Sequence, residues 1–140
     1  MIDIINNSSI SINNADTKSL ISRLLKLYNI STKNDIEIVF VNQNTIKKYN
    51  FEFRNIDKST NVLSFPAIKN ENDLNKHIFG TIMICPEYIK EVDNNTDINK
   101  YIIHGFLHLL GYNHDDDKNE KIFYEEFKNI SKKINLKELY

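Results

Sequence analysis

The 140-residue sequence predicts an α+β domain in which helices pack on a mixed sheet of about four strands. Three observations predict it. Asp35 to Val41 alternates apolar and polar side chains, the apolar runs Val62–Phe65 and Phe79–Cys85 are each stopped by a proline, and the intervening segments carry apolar residues at helical spacing.

Taken in order, Ile2, Ile4 and Ile5 begin a short strand. Asp16 to Tyr28 then places Leu20, Leu24, Leu25 and Leu27 on one helical face, with Asp16 as the N-cap. In the next strand Ile36, Ile38 and Phe40 share one side, and Glu37 and Val39 the other. A short helix follows from about Gln43 to Tyr49. The two proline-stopped runs read as paired strands joined by a long polar loop holding Asn70, Glu71, Asn72 and Asp73. Pro86 suits the first position of a helix reaching Val92, Asp97 caps another from Ile98 to Leu110, and Lys118 to Lys133 forms the last.

Composition bounds the function. With 41% hydrophobic and 26% charged residues the chain falls among soluble globular domains, and its length suits a single domain over residues 1–140. Ile, Asn and Lys together supply 59 of the residues, a bias that looks like AT-rich coding and makes Asn clusters weak evidence for loops. No apolar run approaches the roughly 20 residues of a membrane span, and Met1-Ile2-Asp3-Ile4 lacks the basic start of a secretory signal, so the expected location is the cytoplasm. Cys85 is the sole cysteine, which excludes an intrachain disulfide and a cysteine-ligated zinc; it reads as a small buried apolar residue. A net charge of −1 argues against a wholesale basic surface for nucleic acid and leaves room for a local basic groove.

Three of the four histidines fall in His104-Gly-Phe-Leu-His108-Leu-Leu-Gly111-Tyr-Asn-His114. Any one histidine alone is more often a hydrogen-bonded core residue; three at this spacing point to a metal. Residues four apart on a helix share a face, so His104 and His108 can present ring nitrogens to one ion. Gly111 ends the helix and lets His114 return as the third ligand, leaving one position for water. The spacing matches the extended zinc motif of metzincin peptidases, except that Gly105 stands where their general-base glutamate would be. The metal site is thus expected without the peptidase machinery. His77 has no partner at ligand spacing and reads as a surface residue.

These residues resemble the YbeY endoribonucleases, whose signature is His-Gly-x-Leu-His-Leu-x-Gly-Tyr-Asp-His; here Asn113 replaces the Asp. A second segment, Phe53-Arg54-Asn55-Ile56-Asp57-Lys58-Ser59-Thr60-Asn61-Val62-Leu63-Ser64-Phe65-Pro66, is similar to that family's Arg-containing loop and following strand. The family usually has Gly-Asp where this chain has Gly80-Thr81. The resemblance implies a zincin-like fold with the metal site on a helix in the C-terminal half and the turn after it. It further implies one zinc ion per chain, cleavage of single-stranded RNA, and a role with the small ribosomal subunit, in maturing its rRNA 3′ end and in ribosome quality control. DNA and membranes are not expected partners.

Phosphoryl chemistry also needs a cation on the phosphate oxygens, and Arg54, one of two arginines, is the candidate catalytic and substrate-binding residue. Lys58 is expected to bind substrate beside it. With Lys47 and Lys48 it would form one wall of an RNA groove, to which Tyr49, Phe51 and Phe53 would add stacking surfaces. Asp115, Asp116 and Asp117 read as a solvated cap for the last helix, the rival role being a hydrogen bond to a ligand imidazole. Two other functions fit the same residues. One is a metallopeptidase-like zinc hydrolase, against which Gly105 stands; the other is a ribosome-associated RNA-binding module with a structural zinc, for which four protein ligands would be usual.

Overall fold

The computed structural model describes residues 1–31, 35–66, 78–94 and 97–134. The expected Asn70–Asp73 segment and His77 lie outside these residues. Nine elements follow one another: β1 (Ile2–Asn6), α1 (Asn14–Leu27), β2 (Asp35–Phe40), α2 (Gln43–Arg54), β3 (Val62–Pro66), β4 (Ile78–Ile84), α3 (Pro86–Val92), α4 (Ile98–Leu109) and α5 (Asp117–Ile134). The strands form one mixed sheet in the order β1-β2-β4-β3, so the α+β expectation holds. β1 and β4 run parallel to β2, while β3 pairs antiparallel with β4 and forms an edge.

Alternation along the strands divides the core in two. Ile36, Ile38, Phe40, Ile82, Ile84 and Val62 face the larger half, against Leu20, Ile21, Leu24 and Leu25 of α1 and Ile102, Ile103, Phe106 and Leu107 of α4. Phe123, Ile130 and Ile134 of α5 close that half. On the other side Leu63 and Met83 meet Ile46 of α2, Val41 and the fully buried Cys85. Burial raises the Cys85 thiol pKa above its ordinary value, as expected of a residue packed as an apolar group. Helices α1 and α4 thus pack on one sheet face with α5 behind α4, while α2 packs on the other.

Helix boundaries show where local chemistry overrides pattern. Asn13, rather than Asp16, caps α1: its side chain accepts from the Asp16 amide, leaving Asp16 in the first turn, where its charge favours the helix dipole. α2 continues past the expected stop at Tyr49 to Arg54, because Ile46 and Asn50 keep a buried face inward until Asn55 turns left-handed at φ 58°. Asn50 Nδ2 then donates to the Lys58 carbonyl at 2.9 Å, pinning the connection into β3. Pro86 opens α3 and Asp97 caps α4, as expected. Asp116 caps α5, its carboxylate accepting from the Asn119 amide at 2.7 Å.

α4 lies on β3 and β4 at Gly105. A Cβ built there would stand 2.6 Å from Ile82 Cγ2 and 3.2 Å from both Ser64 Oγ and Val62 Cγ2. Ser64 Oγ donates to the Gly105 carbonyl at 2.9 Å, tying the helix to the edge strand. Gly105→Ala is therefore expected to overpack this contact and destabilise the fold by about 1–3 kcal/mol. In urea unfolding the midpoint should fall with an unchanged slope; an unshifted midpoint would show that the contact has slack.

Candidate metal centre

α4 presents His104 and His108 from one face, four residues apart. The helix then ends in a Schellman motif: the Gly111 amide donates to the His108 carbonyl at 3.0 Å and the Tyr112 amide to that of Leu107 at 3.1 Å. Gly111 has φ 101°, and a Cβ there would meet nothing within 4 Å, so glycine is required for its backbone angle and not for space. This turn returns His114 to the pair. The ligand-type atoms of His104, His108 and His114 all lie within 4.8 Å of one another.

The turn also sets a tautomer. His108 Nδ1 lies 3.0 Å from the Tyr112 carbonyl oxygen, which can only accept, so Nδ1 carries the proton and Nε2 holds the lone pair. That Nε2 faces His104 Nε2 at 3.0 Å. Ring nitrogens bound at about 2.0–2.1 Å around a tetrahedral ion would be spaced by about 3.3 Å. A neutral, three-imidazole donor set converging this closely fits a divalent ion such as zinc. Phe123 of α5 backs the cluster, its ring centroid 4.8, 5.1 and 5.5 Å from those of His104, His108 and His114.

Burial favours the neutral form of His104 and His108. Burial, followed by the positive charges of His108, His114 and Lys100, pushes the His104 pKa down to about 4. His108 is also lowered, by burial first, then by His114 and, less strongly, by Arg54; its bond to the Tyr112 carbonyl acts in the opposite sense. Neutral imidazole is the form that binds metal.

A cleft of about 1270 Å³ runs along both sides of edge strand β3, joining the histidines to the incompletely covered sheet face. Arg54, Tyr49, Phe53, Phe65, Asn113 and Thr81 line it together with the three histidines. Arg54 is exposed and makes no ion pair among the described residues. Lys58, Lys47 and Lys48 are not among the residues that line this cleft, and Lys47 Nζ lies 3.9 Å from Asp57. Phe51 is 52% exposed but also outside the cleft.

Asp115 and Asp116 accept from the Asn119 side-chain amide at 3.1 Å, so with the amide bond already described they serve the start of α5. Three contributors escaped the sequence reading: Phe65, whose strand alternation alone marked its side; the Tyr112 carbonyl, a backbone atom; and Phe123, which looked like ordinary core. Glu37 also lines the cleft, as its only carboxylate among the described residues, in register with Thr81.

The lowered histidine pKa values give a signed expectation for the metal-free protein. Between about pH 6.5 and about 4 the unfolded chain takes up protons that folded His104 refuses, so stability falls as pH drops through that window and levels off below it. Denaturant titrations at successive pH values should show this slope, and His104→Gln should flatten it. An unchanged slope in that variant would assign the dependence to other groups.

The family model described as Endoribonuclease YbeY matches residues 3–135. A protein named Endoribonuclease YbeY from Nautilia profundicola is 37% identical over 126 residues, covering 89% of each chain. One of the same name from Sulfurimonas denitrificans is 33% identical over 142 residues, covering 97% of this chain and 93% of its own. The solution structure of TM1509 from Thermotoga maritima aligns with a TM-score of 0.57 at 30% identity, covering 93% of this chain and 86% of that one. With a match that spans almost every element and a histidine cluster on the helix where the signature lies, the chain belongs to the YbeY endoribonuclease family.

Proposed function

We propose that this protein is a zinc-dependent, single-strand-specific endoribonuclease, a single metallohydrolase domain over residues 1–140 that acts in the cytoplasm on the small ribosomal subunit. The observation that carries the reading is that three converging imidazoles and an arginine without an ion-pair partner among the described residues line one cleft. Maturation of the 3′ end of small-subunit rRNA and ribosome quality control rest on the family resemblance. Among the described residues no helix is long and apolar enough to cross a membrane.

In this reading His104, His108 and His114 hold the ion, and the Tyr112 carbonyl keeps the His108 lone pair aimed at it. Bound zinc supplies Lewis-acid chemistry that makes water acidic enough to lose a proton near neutral pH. Arg54 binds the phosphate oxygens through its planar fork and offsets the charge that builds there during attack. Position 105 is closed to a general base: its Cα faces β4, and even a methyl group would crowd Ile82. This packing opposes the metallopeptidase alternative.

Arg54→Ala should retain one zinc per chain and lose about 10²–10³-fold in cleavage of a single-stranded RNA oligonucleotide. His108→Ala should lose the zinc itself. Metal content and gel-resolved cleavage of both variants beside the parent decide the matter: an active, zinc-free His108→Ala protein would overturn the ligand set. Equal cutting by Arg54→Ala would move the phosphate-binding role to another residue.

A further inference from the structure

The cleft contains an aromatic feature that the metal chemistry does not use. Tyr49 and Phe53, four residues apart on α2, share one helical face, with their ring planes 5° apart and centroids 6.0 Å apart. Phe65 of β3 meets Phe53 edge-on, at 5.1 Å and 62°, and Tyr49 at 6.2 Å and 59°. Phe53 is thus held by a ring on each of two elements, yet it remains 63% exposed. A phenylalanine in a folded domain ordinarily hides far more of its surface, and this one lines the same cleft as its chain neighbour Arg54.

We infer that Phe53, braced by Tyr49 and Phe65, is a stacking platform for an unpaired nucleobase of the RNA whose phosphate Arg54 holds. The inference rests on the endoribonuclease reading above and adds the subsite that positions the strand. The occupant follows from the pairing of chemistries at adjacent residues: a flat, accessible π face beside a guanidinium free of any carboxylate partner among the described residues. A nucleotide offers the complementary pair, a planar base and an anion. In a duplex both faces of each base are covered by its neighbours, whereas an unpaired base can be splayed onto a protein ring. The platform therefore selects for single strands without reading sequence.

The test uses a fluorescently labelled single-stranded RNA oligonucleotide and the full chain in the presence of chelator, so that binding is measured without cutting. Phe53→Ala should weaken binding roughly 5- to 150-fold, the usual worth of one stacked base. Phe53→Leu, which keeps apolar cover over Phe65 and Tyr49 but lacks a π face, should weaken it as well, and Phe53→Trp should bind at least as well as the parent. Thermal melting of each variant separates loss of binding from loss of fold. A walk of single abasic substitutions along the strand supplies the specific signature: at one position the missing base should cost the parent the same factor and cost Phe53→Ala nothing further.

Binding by Phe53→Ala and Phe53→Leu within twofold of the parent would overturn the platform, leaving the rings as a protein-docking patch and the endoribonuclease reading intact. Losses that add at every abasic position would overturn it too. Failure of the parent to bind RNA at all would overturn both the platform and the reading on which it rests.

Discussion

The close approach of α4 to the sheet is the constraint on which the rest depends. One helix fills the core with Ile102, Ile103, Phe106 and Leu107 and at the same time carries two of the three imidazoles on its remaining face. Gly105 permits the backbone to sit this near, and the Ser64 hydroxyl fixes its height over edge strand β3. Because β3 also walls the cleft, the distance between the histidines and the cleft's far side is set by main-chain packing. Rigid elements locate a functional group more finely than loops do.

The turn after α4 shows how a backbone angle becomes electronics. Gly111 adopts a conformation that side chains disfavour, and this places the Tyr112 carbonyl against His108. The carbonyl chooses the proton's position on the ring, and hence which nitrogen keeps a lone pair free for an ion. Phe123 contributes from the other side, supplying an apolar wall that keeps the imidazoles partly dry. Desolvation and mutual repulsion then favour the neutral form of His104 and His108, the form able to bind an ion.

Much of this was legible in the sequence, for physical reasons. Alternation in Asp35–Val41 and the proline stops fixed the strands, since pleat and a missing amide are local properties. His104, His108 and His114 were legible because helical spacing and a terminal glycine imply convergence without knowledge of the rest of the fold. Arg54 was found beside them through its motif. What escaped depended on long-range placement. Asn13, not Asp16, accepts the capping bond at the start of α1, and α2 runs on to Arg54 with Asn50 buried on its inner face. Lys58, four residues beyond Arg54, has its carbonyl held by the Asn50 side chain, a tie between helix and connection that spacing alone does not show. Phe65 entered it through pairing with β4, a partner that its own segment does not name.

The order of these parts along the chain has a consequence for biosynthesis. A ribosome releases the chain N-terminus first, and all four strands are complete by Ile84, before any of the three clustered histidines has been made. The backing ring at position 123 comes later still. The strand residues are therefore synthesised before the histidine cluster. A product that stalls within α4 carries the residues of all four described strands but lacks His114 and Phe123, so it cannot assemble the three-histidine cluster.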